Sequence, residues 1–403
     1  MKILQVIPYY IPAYTFGGPP VIVHQISKEL VRRGHEVVVY TSNAKSHFSR
    51  LPLKSTEIID GVEVHYFRIL TSRVVGRLFI TPQLVLQARK ELDSFDVIHL
   101  HEYRTFQNIV VCLFAEKKCK PCILQVHGAL PVLMNRQITK KLFDKILGNR
   151  LLKSMKKMIA LTESEQNQYE LRGISKKDIE IIPNGIDVSK YQELPSRNNF
   201  RRKHGIPSNT RIILYLGRLH HYKGIDILIE SFSHLKTRRN DIVLVIVGPD
   251  HGALNELKEQ CFGLGISDSV IFTGPLFNVE KSEVFVDADV FVLPSLYEAF
   301  PMVLLEAFAF SKPVIASGID SIARIIEHRK NGLLFKPSDA LALEQSIQLL
   351  LKNQSLAHNL GANARKKLEE EYTIAQVVDR MEKLYRNCVY SSKSVDGSLS
   401  RIT

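Results

Sequence analysis

The chain has 403 residues, of which 45% are apolar and 24% charged, with a net charge of +13, and this composition excludes a disordered or fibrous protein. Since one hydrophobic core rarely supports so long a chain, we expect two domains of roughly 200 residues each. Five cysteines give no disulfide framework and no apolar stretch approaches the ~20 residues needed to span a bilayer, so a cytoplasmic protein is expected.

The first half alternates short apolar runs with helical patterns, an order typical of a parallel sheet covered by helices on both faces. The predicted elements are strand Lys2–Ile7, helix Gly18–Arg33, strands Val37–Thr41 and Val62–Phe67, a helix from Pro82, strand Asp96–Leu100, helix Thr105–Glu116, strand Ile123–Val126, helix Thr139–Met155, and strands Met158–Leu161 and Ile179–Ile182. This pattern predicts a Rossmann-like first domain over residues 1–195.

The second half repeats the alternation after the polar connection Pro195–Asn199. Its predicted strands are Ile212–Leu216, Val243–Val247, Val270–Phe272, Val290–Leu293, Val314–Ala316 and Leu333–Phe335. We expect a second Rossmann-like domain at 196–372, a C-terminal helix at 373–390 that packs back on the first domain, and a disordered Ser-rich tail at 391–403. Ligands of such sheets bind at the carboxyl ends of the strands, where the strand order reverses.

The segment Gly217–Gly224 joins the first strand of the second domain to a helix and carries two cations, Arg218 and Lys223. A diphosphate that leaves a sugar carbon develops negative charge, and two fixed cations in a water-poor site stabilise that charge without a metal. Gly224 would allow a backbone amide to approach a phosphate at the helix N-terminus. Two solvated surface cations are the structural alternative.

Two carboxylates, Glu298 and Glu306, stand eight residues apart in the segment Pro294–Ala307. Because Pro301 suits the first turn of a helix, Glu298 is expected on the loop before that helix and Glu306 about two turns inside it. The backbone amides of Phe300 and Met302 would then donate hydrogen bonds to phosphate oxygens. An unpaired carboxylate on an otherwise apolar helix is costly, so Glu306 needs a partner such as a ribose diol.

Other candidate positions carry weaker signals. Gly17 and Gly18 open a helix after the first strand, where glycine allows backbone contact with a phosphate or sugar, although a plain turn is the common meaning of such a pair. His127 follows a strand directly at its carboxyl end, where a histidine is either structural or a ligand contact. Asp287-Ala288-Asp289 imitates a metal-binding motif but precedes its strand, so we predict a structural role and no metal.

These motifs together resemble glycosyltransferase family 4, retaining enzymes of GT-B architecture in which two Rossmann-like doubly wound domains face a cleft. The matching pieces are Gly17-Gly18, Arg33-Gly34-His35-Glu36-Val37, Ile182–Asp187, Gly217-Arg218-Leu219 with Lys223-Gly224, Asp289–Ser295, the Glu298 and Glu306 pair, and Lys312–Ser317. The resemblance runs over nearly the whole chain and implies a metal-independent enzyme that uses a UDP- or GDP-sugar.

The resemblance also implies roles for single residues. Arg218 and Lys223 would grip the donor diphosphate, Glu306 the ribose hydroxyls, and Glu298 the hydroxyls of the transferred sugar. Gly18 would offer its amide to the phosphate, and His127 would contact the sugar from the first domain. The catalytic residues are therefore expected to be Arg218, Lys223, Glu298 and His127, and the donor contacts also to include Gly17, Gly274, Phe300, Pro301 and Met302.

The sequence departs from the family pattern at one place that affects the functional prediction. The family usually has Gly-Gly-x-Pro-Glu where this chain has residues 320–324, so Arg324 replaces a Glu, and Ser311 replaces a usual glycine. The leading hypothesis is a hexosyltransferase of polysaccharide, lipopolysaccharide or glycolipid synthesis. A catalytically weak GT-B protein that binds nucleotide-sugar or a partner enzyme is the alternative.

The basic charge is concentrated in residues 1–195, which hold 28 Lys and Arg against 18 Asp and Glu. This asymmetry indicates an anionic partner. Thr139–Lys157 contains seven cations and one Asp beside an apolar set, so that helix either lies on an anionic membrane surface or packs its apolar stripe on the sheet. No nucleic-acid module accompanies the charge, and no nucleic-acid partner is expected.

Overall fold

The computed structural model describes residues 1–46, 49–52, 55–70, 79–131 and 137–399. The strands are β1 (Lys2–Val6), β2 (Glu36–Ser42), β3 (Thr56–Ile59), β4 (Val62–Phe67), β5 (Val97–His101), β6 (Cys122–Gln125), β7 (Lys157–Ala160), β8 (Ile179–Ile181), β9 (Arg211–Leu216), β10 (Ile242–Val247), β11 (Val270–Gly274), β12 (Val290–Leu293), β13 (Val314–Ser317) and β14 (Leu333–Phe335).

The α-helices that pack around these strands are, in chain order, α1 (Gly18–Arg32), α2 (Gln83–Glu91), α3 (Phe106–Lys117), α4 (Gln137–Phe143), α5 (Asn149–Lys153), α6 (Glu163–Glu170), α7 (Asn199–Lys203), α8 (Ile225–Lys236), α9 (Leu254–Gly263), α10 (Asn278–Asp287), α11 (Met302–Ala309), α12 (Asp320–Ala323), α13 (Ala340–Lys352), α14 (Gln354–Glu371) and α15 (Ile374–Leu399). Within the described residues, none of them is both long and apolar enough to cross a membrane.

The chain divides into two compact units, and each holds one sheet. The first unit comprises Met1–Gly185 and the C-terminal segment from Ile374, and the second comprises Ile186–Thr373. The boundary therefore lies about ten residues before the 195/196 position that the sequence suggested. Ile186 is already tied to the second unit, because its N–H donates to the carbonyl of Tyr372.

The sheet of the first unit has the strand order β3-β4-β2-β1-β5-β6-β7-β8 and is parallel except for the β3–β4 pair. The sheet of the second unit has the order β11-β10-β9-β12-β13-β14, and all its pairs are parallel. Runs such as Ile242–Val247 are buried at every position, as expected for a strand covered on both faces. The predicted α/β class with two doubly wound parallel sheets is thus confirmed.

The first strand of each sheet lies where the strand order reverses, which is the position at which doubly wound sheets bind ligands. In the first unit β1 lies between β2 and β5, and in the second unit β9 lies between β10 and β12. Residues that follow β1, β5, β6, β9 and β12 are therefore brought to the carboxyl edges of their own sheets near these reversal points.

The C-terminal helix α15 is fastened to the end of α1 by ionic contacts. The Arg33 guanidinium donates to Asp379 at 2.5 Å, to Glu382 at 2.7 Å and to the carbonyl of Ala375 at 2.8 Å. His35 lies 2.6 Å from the same Glu382. These contacts give the Arg33-Gly34-His35 motif a structural role within the first unit.

The structure differs from two sequence-based expectations about helices. Residue 391 was predicted to begin a disordered tail, but α15 continues to Leu399, because extending an existing helix needs no new nucleus. The predicted Thr139–Met155 helix is interrupted by a π-helical turn at Asp144–Gly148 between α4 and α5. Its apolar stripe also divides: Leu151 and Met155 are buried, whereas the residues nearer α4 are exposed.

Candidate functional site

The loops that follow β9 and β12 are in direct backbone contact. Gly224 has a φ of 63°, and a Cβ there would lie 2.2 Å from the carbonyl oxygen of Pro294, so neither conformation nor space admits a side chain. The N–H of Leu296 donates to the carbonyl of Tyr222 at 2.8 Å. These contacts fix the two strand ends that carry the predicted catalytic residues of the second unit.

Lys223 and Glu298 form an ion pair across these two loops. The Lys223 Nζ lies 2.6 Å from Oε1 of Glu298, and the side chains are only 9% and 12% exposed. The Ser295 hydroxyl donates to the same carboxylate oxygen at 2.8 Å. A pair removed from water to this degree needs such an additional hydrogen bond, because its mutual attraction alone barely offsets desolvation.

Arg218 joins this group through Tyr222. Its guanidinium donates to the Tyr222 hydroxyl at 3.0 Å, and the Tyr215 hydroxyl donates to the Arg218 carbonyl at 3.1 Å. The Lys223 Nζ lies 5.1 Å from the centre of the Tyr222 ring. One aromatic side chain thus contacts both cations, and the two positive groups lie on the same loop at the carboxyl end of β9.

Helix α11 begins one residue later than predicted. Pro301 is the residue before the helix and not part of its first turn, and Glu306 lies about one turn inside instead of two. The Glu306 carboxylate is paired with Lys281 of α10 at 2.6 Å. The first amides of α11, beginning at Met302, point out of its N-terminus, while the Phe300 side chain is buried.

Three glycines bring the ends of neighbouring strands close together. The N–H of Gly248 donates to the carbonyl of Gly274 at 2.9 Å, and a Cβ on Gly248 would lie 1.8 Å from the carbonyl oxygen of Gly217. Gly274 ends β11, two strands away from β9. Gly274, a predicted donor contact, therefore lies at the same sheet edge as the loop after β9 but two strands away from it.

The carboxylates of Asp287 and Asp289 lie at the opposite edge of the sheet. Asp287 accepts the N–H groups of Asn198 and Arg201, and Asp289 accepts the N–H of Ile212 together with Arg201. Both carboxylates hold α7 against the sheet of the second unit. Among the described residues, no group of three or more His, Cys, Asp and Glu has a metal-binding arrangement.

In the first unit, Gly17 and Gly18 stand at the start of α1. Gly17 has a φ of 94° and is the residue before the helix, and Gly18 is its first residue. A Cβ on Gly17 would have open space around it, so the positive φ and not crowding demands glycine. Gly17 and Gly18 are both half-buried, so the backbone at this helix start is partly open to solvent.

His127 follows β6 in the left-handed backbone region, with a φ of 50°. Its neighbour Gly128 donates its N–H to Glu165 at 2.6 Å, and the other oxygen of Glu165 accepts the N–H of Leu161 at 2.7 Å. Burial raises the pKa of Glu165 to about 7 and lowers the pKa of His127 to about 3. Burial therefore favours the neutral imidazole of His127 over the cation at physiological pH.

Two further histidines accompany His127, and the sequence interpretation missed both. Nδ1 of His101 lies 2.9 Å from Nε2 of His127, and the two rings stack with centres 5.2 Å apart. His99 precedes His101 by two residues on β5. The available signal was this spacing, because residues i and i+2 of a strand share a face, and His101 ends a central strand.

The comparisons with known proteins identify the two units. Residues 16–190 match glycosyltransferase family 4, and residues 196–367 match glycosyl transferases group 1, so together they account for most of the chain. An uncharacterised glycosyltransferase of Methanocaldococcus jannaschii is 27% identical over 96% of this chain and 98% of its own length.

Further relatives cover similar lengths. N-acetyl-alpha-D-glucosaminyl L-malate synthase of Bacillus anthracis is 25% identical over 94% of this chain and 96% of its own length. Anabaena HepE, solved in complex with UDP and glucose, has a TM-score of 0.74 at 19% identity and covers 96% of this chain and 100% of its own. The chain belongs to glycosyltransferase family 4 and has its GT-B fold.

Proposed function

We propose that the chain is a retaining, metal-independent hexosyltransferase that moves a sugar from a nucleotide diphosphate-sugar to a glycan or lipid-linked acceptor, in polysaccharide, lipopolysaccharide or glycolipid synthesis. UDP and GDP are the expected nucleotides. The observation that carries the proposal is the Lys223–Glu298 ion pair, which is nearly buried at the carboxyl ends of β9 and β12. The HepE complex with UDP and glucose supports a donor of this class.

The ion pair suits an exchange of partners on donor binding. A diphosphate that approaches Arg218 and Lys223 offers Lys223 a more highly charged partner than Glu298. Glu298 then becomes free to accept hydrogen bonds from the hydroxyls of the transferred sugar, with Ser295 still holding its carboxylate. The exchange would be complete on donor binding, so the contacts to both halves of the donor would already be in place when the sugar is transferred.

The nucleotide end of the donor fits the α11 side of the site. The amides at the start of α11, near Phe300, Pro301 and Met302, are suited to a phosphate oxygen. The Glu306 carboxylate, which now holds Lys281, is suited to accept both hydroxyls of a ribose. Since Glu306 lies one turn inside the helix, phosphate and ribose contacts follow each other along the same element.

The chemistry assigned by the family resemblance needs no protein nucleophile. The bond between the sugar C1 and the phosphate oxygen breaks as the acceptor oxygen bonds to C1 on the same face. The acceptor proton passes to the leaving phosphate oxygen, so the anomeric configuration is retained. Arg218 and Lys223 stabilise the charge on the departing diphosphate, which is the largest contribution asked of the protein.

Nucleotide binding and sugar transfer can be tested separately. We expect UDP or GDP to raise the midpoint of thermal unfolding, whereas nucleosides without phosphate do so weakly, since a ligand that binds only the folded state stabilises it. The same donor should be hydrolysed slowly without acceptor, at a rate unchanged by EDTA, and release a sugar of retained configuration by NMR. Inverted product or a rate abolished by EDTA would contradict the mechanism.

Arg324 supports a second candidate function. In this alternative, the chain is a catalytically weak GT-B protein that binds nucleotide-sugar or a partner enzyme. Arg324 is exposed just after α12, on the loop that follows β13 next to β12. It places a cation where the family usually has a carboxylate. Nucleotide binding without hydrolysis or transfer across a panel of donors and acceptors would favour this candidate, and Arg324→Glu should then raise the rate.

We also propose an anionic membrane surface as a partner of the first unit, consistent with a lipid-linked acceptor. Ile138, Leu142 and Ile146 are 83%, 56% and 62% exposed, and Lys141 and Lys145 are exposed between them. The spacing of four residues puts the apolar side chains along one side of the segment. Apolar side chains flanked by cations are the composition that inserts at an anionic lipid headgroup region.

Ion pairs on the buried side of the segment fix the orientation of this surface. The Asp144 carboxylate is buried and paired with Arg104 at 2.6 Å and with Arg172 at 3.0 Å, so the acidic side chain of the segment is turned inward. The Arg104 guanidinium also donates to the carbonyl of Ala129, two residues after His127. The lysines and the apolar side chains therefore face outward. Asp144 does not neutralise the charge of these lysines, because it pairs with Arg104 and Arg172.

Vesicle sedimentation tests the membrane proposal. The protein should sediment with vesicles containing phosphatidylglycerol and not with pure phosphatidylcholine, and salt should release it. Replacing Ile138 and Ile146 together by Ser should abolish sedimentation, whereas Leu171→Ser, at an equally exposed apolar residue of the same unit, should leave it unchanged. Sedimentation of the double variant equal to that of the parent would contradict the proposal.

A further inference from the structure

A continuous set of hydrogen bonds leads from α15 to His127 through the interior of the first unit. The Tyr385 hydroxyl lies 2.7 Å from Nδ1 of His99, and Nε2 of Gln5 donates to the same hydroxyl at 3.5 Å. Oε1 of Gln5 lies 2.7 Å from Nε2 of His101, and Nδ1 of His101 lies 2.9 Å from Nε2 of His127. Gln5, His101, His99 and Tyr385 are all buried.

The direction of each hydrogen bond follows from the oxygen of Gln5, which can only accept. Nε2 of His101 must therefore carry a hydrogen, and a neutral imidazole has only one, so Nδ1 of His101 is a bare acceptor. Nε2 of His127 must then donate to it, which leaves Nδ1 of His127 without a hydrogen. Burial keeps the rings neutral, since it lowers the pKa of His101 and brings that of His127 to about 3.

The nitrogen left without a hydrogen is Nδ1 of His127. Within the described residues, Nδ1 of His127 is buried and has no hydrogen-bond partner, although a buried polar atom without one is costly. The His127 backbone is held in a left-handed conformation by the bonds of Glu165 to Gly128 and Leu161. A strained backbone and an unused acceptor at one residue indicate a group prepared for a ligand.

We propose that Gln5 and His101 are positioning residues that fix the tautomer of His127, so that its bare Nδ1 accepts a hydrogen bond from a hydroxyl of the transferred sugar. The identity of the ligand rests on the proposed function, whereas the tautomer does not. His127 would then select a donor that carries a hydroxyl at this point and would reject one that offers an acceptor there, because two lone pairs would face each other.

Nitrogen NMR of the protein with 15N-labelled histidine rings tests the tautomer without ligand or activity. We expect the His127 signals, assigned by their loss in His127→Gln, to show a pyridine-type Nδ1 and a pyrrole-type Nε2 at neutral pH. A hydrogen on Nδ1, alone or together with one on Nε2, would overturn the proposal. This measurement needs no variant of Gln5, so it decides the tautomer even where Gln5→Met does not fold.

The role of Gln5 is tested with Gln5→Met, which removes the accepting oxygen at similar volume. Mixed His127 tautomers are expected, because His101 no longer has a fixed hydrogen. Gln125→Met is the matched control, since Gln125 is buried on β6, which pairs with β5, and its amide has no hydrogen-bond partner in the described part of the chain. An unchanged His127 tautomer in Gln5→Met would overturn the positioning role.

Addition of UDP-glucose separates the ligand from the tautomer. If the sugar hydroxyl donates to His127, the Nδ1 signal shifts on binding while it stays of the pyridine type. UDP-glucose that binds by calorimetry without moving this signal would contradict the contact. Absence of any binding would count against the proposed donor and leave the tautomer result standing, so the two failures are distinguishable.

Discussion

The two sheets have the same architecture, but the polar groups at their carboxyl edges differ in kind. The edge of the second sheet is ionic, with the pairs Lys223–Glu298 and Lys281–Glu306. At the edge of the first sheet lies a neutral group, which we call the neutral edge: Gln5, His101 and His127 are linked by hydrogen bonds, and burial lowers the pKa of His127 to about 3. An ionic edge suits a diphosphate and a ribose, and a neutral edge suits hydroxyl groups that carry no charge.

On the proposed function, the two kinds of polar group would recognise different parts of the donor. Ion pairs can exchange partners, so Lys223, which pairs with Glu298 in the second unit, would still have a negatively charged partner after an anion binds. A neutral imidazole offers no charge to pair with a charged ligand, but its tautomer determines which ring nitrogen donates and which accepts. The comparison predicts that changes at the ionic edge affect the donor's phosphates and turnover, and that changes at the neutral edge affect hydroxyl selection.

The largest effect is expected from the cations of the ionic edge. Lys223→Ala and Arg218→Ala should each lower turnover by on the order of 10²-fold or more, because charge on the departing diphosphate loses a fixed cation. Turnover is measured as release of nucleoside diphosphate at saturating donor. Lys203→Ala is the control, since Lys203 pairs with Glu283 elsewhere in the same unit. Near-normal turnover in both site variants would remove the assigned roles.

A smaller effect is expected from Glu306→Gln, which keeps the volume of the side chain but loses the charged acceptor of the ribose. Hydrogen bonds to charged groups contribute about 1.5–3 kcal/mol, so the Kd of UDP should rise roughly 10- to 100-fold. Calorimetry measures it. Glu283→Gln changes a carboxylate paired with Lys203 and should leave the Kd as it was. A Kd equal in both variants would place the ribose elsewhere.

Two glycine variants separate the effect of the close backbone contact at Gly224 from the effect of a positive φ. Gly224 and Gly265 have nearly the same φ, 63° and 66°, but only Gly224 faces a neighbour, the Pro294 carbonyl, where a Cβ would lie 2.2 Å away. Gly265→Ala should therefore lower Tm by a few degrees, at about 1–2 kcal/mol for the conformation. Gly224→Ala should lower it by at least twice as much and also reduce activity. Equal shifts would show that the contact carries no energy.

The sequence was sufficient for most strands because parallel strands buried on both faces are continuous apolar runs, such as β10. It was not sufficient for β3 (Thr56–Ile59), an antiparallel edge strand with exposed and half-buried positions and hence no apolar run. The start of α11 was displaced by one residue, since a proline is compatible both with the first turn and with the residue before it.

The candidate site was only partly accessible from the sequence. The motifs located Arg218, Lys223 and Glu298, because those residue types follow strand ends in a recognisable order. The pairing of Lys223 with Glu298 joins residues 75 positions apart, and that of Gln5 with His101 joins residues 96 positions apart. Such partners depend on strand order and register, which local patterns do not contain.

The smallest effect is expected next to the neutral edge, in the pH dependence of folding. Burial lowers the pKa of His99 to about 3, whereas an unfolded histidine titrates near 6.5. As pH falls below about 6.5, the unfolded state binds a proton that the folded state refuses, so the free energy of unfolding decreases. The stability from His99 is thus complete above pH 6.5 and is lost progressively toward pH 3. Glu165, whose pKa is raised to about 7, acts oppositely: its contribution is complete below about pH 4.5 and is lost as pH rises through 7.

His99→Gln isolates this contribution, because glutamine can still bond to the Tyr385 hydroxyl but does not titrate. One proton changes the free energy of unfolding by about 1.4 kcal/mol per pH unit, so between pH 6.5 and 5 the variant should lose roughly 2 kcal/mol less than the parent. Urea unfolding at a series of pH values measures the difference. His358→Gln, at an exposed histidine of α14, should keep the parent's slope. If His99→Gln keeps it too, the pKa of His99 is not lowered in the folded protein, and burial does not hold this ring neutral at pH 5.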